Sequence, residues 1–87
     1  MTGLEFHDKR TGHTDAWFVD ADPVLPMVKA AWRVAVRQNV GCNRGVFRLS
    51  AEVARRLEDE VARLDPLGVR RVAHGGTMYG YPVEVVQ

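Results

Sequence analysis

Cys42, between Gly41 and Asn43, is the single thiol of this 87-residue chain. A cysteine nucleophile needs a base within hydrogen-bond reach. His74, in a separate predicted turn, is the residue of the right type, but nothing in the spacing obliges the two loops to meet. Cys42 is therefore expected to be structural or incidental. His7, Asp8, His13 and Asp15 crowd metal-compatible ligand types into one stretch. On a hairpin His7 and His13 would face one another across the turn, yet surface histidines in loops make the same pattern, and no metal is expected. His74-Gly75-Gly76-Thr77 has the glycines that let backbone N–H groups approach an anion. The helix that must follow in a P-loop or dinucleotide fingerprint is absent, so a hairpin turn is expected. These residues lead to no cofactor and to a chain that is not an enzyme.

Charge is more informative than any of these sites. Net charge is only +1. Residues 1–22 carry two cations against five anions, and residues 50–65 carry three against five. Between them, residues 23–49 hold Lys29, Arg33, Arg37, Arg44 and Arg48 with no acid. Phosphate neutralisation needs clustered cations without nearby anions, so these five form the candidate partner- or phosphate-binding set. The competing reading is a mostly buried helix with one wet stripe. Tyr79, Tyr81, Val83 and Val85 form a second candidate set, because they alternate along one predicted strand. Amphipathic aromatics favour interfaces, and these four are the candidate interface residues.

The elements that position these residues follow from periodicity and turn chemistry. Leu4 and Phe6 alternate with polar neighbours. The cluster Asp8 to Gly12 supplies a turn, and Ala16 to Val19 forms a second strand, giving an N-terminal hairpin. Asp22 predicts an N-cap and Pro23 the first position of a helix that reaches about Gln38, ended by Asn39 and Gly41. Its apolar residues surround all but the Lys29, Arg33, Arg37 line, so part of its cover is expected from another chain. Gly41 to Gly45 is a turn and Val46 to Leu49 a strand. Ser50 caps a second helix running to about Leu64, with Val53, Leu57, Val61 and Leu64 as its apolar stripe. Charged pairs four apart, among them Glu52–Arg56 and Arg56–Glu60, occupy the rest of that helix. Asp65-Pro66 and Gly68 stop it. Val69 to Ala73 and Thr77 to Val86 complete a hairpin. Pro82 cannot donate to a ladder, which predicts an edge strand or a bend there.

Val46 to Ser50 followed by an amphipathic helix resembles the start of a ribbon-helix-helix DNA-binding domain, over about twenty residues. The resemblance implies a strand that pairs with its twin in a dimer and inserts into the major groove. After Gly68 that family needs a second helix, where this chain has Gly75-Gly76 and a valine- and tyrosine-rich strand. The chain is not assigned to it.

The predicted fold is α+β: two helices packed on one face of a small, mostly antiparallel sheet of about four strands, in a single domain over residues 1–87. A chain this short buries only about 60–65% of its unfolded surface, so support from a partner is expected. One cysteine excludes an intramolecular disulfide and leaves too few thiols for a Cys/His zinc site. The apolar stretch Val24 to Val36 is broken by Lys29 and Arg33 and is too short to span a bilayer. The first residues contain no signal-peptide core, so the cytoplasm, or a particle assembled there, is the expected location. The resulting expectation is a non-enzymatic interaction or structural protein, acting as a subunit of a larger assembly such as a virion or another particle. The alternative is a nucleic-acid-binding protein using residues 23–49. The expected partner is a protein or a second copy, with nucleic acid as the alternative and no membrane.

Overall fold

A computed structural model describes residues 3–19, 23–64, 69–72 and 76–86. Strand β1 (Gly3–Asp8) and strand β2 (Thr14–Phe18) form the expected hairpin, with Leu4 opposite Trp17 and Phe6 opposite Asp15. The turn closes by two backbone bonds: Asp8 N–H donates to the His13 carbonyl at 2.9 Å and Gly12 N–H to the Asp8 carbonyl at 2.8 Å. Gly12 has φ +78°, where a side chain would be strained. The Asp8 carboxylate accepts the Arg10 N–H at 3.0 Å, and this bond holds its pKa below the ordinary carboxylate value.

Helix α1 spans Leu25–Arg37, starting two residues later than Pro23. Pro26 sits in its first turn, where a missing N–H costs nothing. Asp22 lies outside the described residues, and Val24 at the N-cap position contributes no side-chain bond. The cap comes from the other helix. Val24 and Leu25 donate their N–H groups to Oε2 and Oε1 of Glu60, at 2.5 and 3.0 Å. A carboxylate at a helix N-terminus satisfies orphan donors and favours the dipole together. Glu60, expected on the charged side of α2, is 2% exposed and serves α1.

Strand β3 (Gly45–Ser50) leads directly into helix α2 (Ala51–Leu64). Ser50 caps it as expected, accepting the Val53 N–H at 3.2 Å. The residues expected to stop α2, Asp65, Pro66 and Gly68, lie outside the described residues, as do His74 and Gly75. Strand β4 is only Val69–Arg70, shorter than the strand expected to reach Ala73. The single strand expected over Thr77 to Val86 is two, β5 (Thr77–Met78) and β6 (Tyr81–Val86), folded back at Tyr79-Gly80. Both turn residues have positive φ, 53° and 86°, as a two-residue type I′ hairpin requires.

Among the described residues the strands form one six-stranded sheet in the order β2-β1-β3-β6-β5-β4, rather than about four strands. Four of its strand pairs are antiparallel, and β3 with β6 is parallel. The sheet is mixed because β3 reaches β6 through α2, a crossover of the kind parallel strands need. Pro82 is consequently in an inner strand, not at an edge. It precedes Val83, the first β6 residue in register with β3, so that ladder asks no N–H of it.

One face of this sheet makes the core. Leu4, Phe6, Phe47, Leu49, Met78, Tyr81 and Val83 share it by register. They pack with Leu25, Val28, Ala31 and Ala35 of α1 and with Val53, Ala54 and Leu57 of α2. Rings of Phe6, Phe47 and Tyr81 meet at centroid distances of 4.9 to 5.5 Å. A Cβ at Gly45 would lie 2.4 Å from the Phe6 ring, so glycine is what lets that ring approach the β3 backbone. Helix α1 needs less outside cover than its composition predicts: Met27 and Trp32 also pack on the core, and Val36, at 50% exposure, is its one large exposed apolar side chain.

Candidate interaction surface

The other face of the sheet receives no helix among the described residues. Strand register arranges its side chains in rows. Ala16, Glu5, Arg48 and Glu84 form the central row, in which the Arg48 guanidinium meets the Glu84 carboxylate at 3.3 Å. Thr14 and His7 begin a second row, joined by a 2.8 Å hydrogen bond between Oγ1 and Nδ1, and Val46 follows. The third row joins Phe18 to Gly3 and Ser50 to Val86. Phe18 is 69% exposed and Val86 39%.

The five predicted cations separate on folding. Lys29, Arg33 and Arg37 stay together as an exposed line on α1, turned away from its buried side, and the helix carries no acid. Among the described residues none of the three has an ion-pair partner. Arg44 is half-buried in the turn before β3, where its Nη2 donates to the Asn39 carbonyl at 2.6 Å. Arg48 stands on the open sheet face between Glu5 and Glu84, so carboxylates on both flanks cancel the field a phosphate would seek. The basic segment is therefore a helix line of three cations, not a patch of five.

The second predicted set is taken up by the chain's own packing. Tyr81 and Val83 are each 4% exposed, and Val85 is half-buried against the core. The Tyr81 hydroxyl donates to the Val40 carbonyl. Tyr79, at the turn, stacks on Trp32 with ring centroids 4.9 Å apart and planes 29° apart. Burial raises the pKa of both phenols, with the nearby Cys42 adding to the effect at Tyr81.

The remaining candidates are dispersed. Cys42 is exposed, and its thiol faces the Tyr79 carbonyl at 3.9 Å. His13 Nε2 lies 3.1 Å from Asp15, whose other oxygen is 3.5 Å from the Gln38 amide. His7 is bonded to Thr14 instead, and no three potential metal ligands cluster among the described residues. The ribbon-helix-helix resemblance ends in the same way: β3, the strand that would pair with its twin, is already paired on both sides, with β1 and β6.

Two features escaped the sequence reading, and both had a visible signal. Glu60 follows Val53 by seven residues and Leu57 by three, which places a carboxylate on the apolar stripe of α2. Phe18 falls between Trp17 and Val19 on a strand with alternating faces, so one of the three had to point outward.

The backbone of β2 is the last component of this surface. Asp8 N–H points to β2 and Lys9 N–H donates to Arg44, beside β3. Alternation then directs Leu4 and Phe6 toward β2, so Trp17 and Asp15 point their N–H and C=O groups inward to β1. Thr14, Ala16 and Phe18 point theirs outward, at the edge of the sheet. No family model, no curated protein and no solved structure matched this chain.

Proposed function

We propose that this chain is a non-enzymatic interaction subunit that self-associates through the helix-free face of its sheet and the bordering strand β2. The observation that carries this reading is Phe18, an aromatic ring 69% exposed on that face. The aromatic rings of β1, β3 and β6 (Phe6, Phe47 and Tyr81) serve the core, whereas Phe18 finds no such place. Exposed aromatics at a sheet border are the residues interfaces recruit, because they bury much area with few rotors to immobilise. Static light scattering across a concentration series tests it. The expected mass rises above 9.7 kDa with concentration and returns toward that value for Phe18→Ser. A mass of 9.7 kDa at every concentration would overturn the reading.

A second reading rests on the exposed line Lys29, Arg33 and Arg37. Three cations spaced one helical turn apart, with no acid on the helix, could neutralise phosphates of a nucleic acid. Fluorescence anisotropy with duplex DNA and single-stranded RNA at stepped salt tests this. Three phosphate contacts predict a slope of log K against log salt of about −3 on duplex DNA. Binding unaffected when all three are changed to Glu would remove this reading.

A further inference from the structure

We infer that the partner of β2 is the β2 of a second copy, paired antiparallel about a two-fold axis at Ala16, so that two sheets become one continuous sheet. The inference rests on the self-association reading and specifies its geometry.

The two edges of the sheet differ in what they offer. Strand β4 ends the sheet with two residues, the short edge by which natural sheets discourage pairing. Strand β2 ends it with five, free of proline and lysine. Its outward backbone groups belong to Thr14, Ala16 and Phe18. An antiparallel strand must present outward groups at the same positions, which limits self-pairing with at least two hydrogen-bonded pairs to registers centred on Asp15, Ala16 or Trp17. Centred on Ala16, the pairs are Ala16 with Ala16 and Thr14 with Phe18, each hydrogen-bonded, giving about six inter-chain bonds. Centres at Asp15 or Trp17 give about four.

Side chains favour the same register. Centring on Asp15 would set two carboxylates directly opposite, a destabilising arrangement. Centring on Ala16 sets each Asp15 opposite the partner's Trp17 and leaves it with His13 and Gln38 of its own chain. On the open face each Phe18 ring lies opposite the partner's Thr14, with two alanine methyl groups between the rings. The exposed aromatic and the backbone left unpaired among the described residues are thereby covered by one event, and the two-fold makes the contact self-complementary.

The decisive substitution is Ala16→Pro. The Ala16 N–H points away from β1, so proline there leaves the β1–β2 ladder intact while removing central donors from the inter-chain pairing. The expected result is a mass near 9.7 kDa at concentrations where the unaltered chain and Ala16→Thr are dimeric, with matching far-ultraviolet circular dichroism for all three. A second test does not depend on proline being tolerated. In a Cys42→Ser background, Ala16→Cys places two thiols on hydrogen-bonded partners roughly 5.5 Å apart at Cα, within disulfide reach. Thr14→Cys places them about four residues out of register, roughly 13 Å apart. Mild oxidation should therefore give a covalent dimer for Ala16→Cys and not for Thr14→Cys. A dimeric chain in which a folded Ala16→Pro keeps its mass, or in which the two cysteine variants cross-link equally, would overturn the β2 pairing while leaving self-association standing. A monomeric unaltered chain would overturn both.

Discussion

Helices α1 and α2 cover the same face of one sheet, but they begin for different physical reasons. Helix α2 carries its own start signal: Ser50 precedes it, bonds the Val53 N–H, and an apolar stripe follows at helical spacing. Helix α1 has no acidic residue in its first turn and no capping side chain at Val24. Its first N–H groups are satisfied from 36 residues away by Glu60. One helix is specified locally, and the other is completed only when the two pack together. Helix–helix association in this small domain is thus directional. A carboxylate buried to 2% exposure has to find those donors, so α1 can dock against α2 in one axial position.

The sharpest way to break the comparison is Glu60→Ala. It leaves two buried N–H groups without partners, at about 1–3 kcal/mol each, so a loss of about 2–6 kcal/mol is expected in urea unfolding. Hydrogen-exchange protection should fall at Val24 and Leu25 and persist at Val53. Equal losses in both helices would show that the bond does not act on α1 in particular. Trp32→Leu removes the stack that ties α1 to the β5–β6 turn, and about 1–3 kcal/mol should be lost.

The same contact is visible in alkali. Burial raises the pKa of Tyr79 and Tyr81 above 10.0, so the fold favours their neutral forms. Their contribution is fully present below pH 10 and lost as pH rises through the raised values. Ultraviolet titration should show both phenols ionising above the value found in denaturant.

Ser50→Ala tests the local start of α2, with an expected cost of about 1 kcal/mol. The smallest effect should come from changing Lys29, Arg33 and Arg37 together to Gln. Exposed cations with no ion-pair partner among the described residues are not expected to support the fold, and each change should alter stability by no more than about 0.5 kcal/mol. A larger loss would mean that the line is structural rather than available for binding.

What was legible before folding is what local chemistry controls. Ser50 and the spacing of Val53, Leu57 and Val61 announce α2 almost to the residue. The Asp8-to-Gly12 cluster announces the first hairpin, because turn residues act on their own backbone. The expected pairing of the Val69 and Thr77 strands is present, but the turn at Tyr79-Gly80 that folds β6 back on β5 was hidden. Tyrosine is an unusual choice for a positive φ, and what supports it here is the Trp32 ring, a contact that no local window contains. Pro82 pointed to an edge strand or a bend, and the edge alternative fails because the β3 register begins only at Val83. The candidate site was legible only in part. The cations Lys29, Arg33 and Arg37 could be grouped because a helix fixes their spacing. Arg44 and Arg48 could not, because strand neighbours decide what surrounds them.

The sequence by itself determined the α+β composition, the existence of both helices, the cap of α2, the first turn and the exposed cationic line, since each depends on residues within a few positions of one another. Only the tertiary structure decided that, among the described residues, β3 and β6 run parallel in the middle of a six-stranded sheet, that Glu60 starts the other helix, that Tyr81 and Val83 belong to the core, and that Phe18 and the outward backbone of β2 are left without cover from a neighbouring strand. Those outcomes turn on strand order and register, in which a shift of one residue exchanges the two faces of a strand and with them the core and the surface.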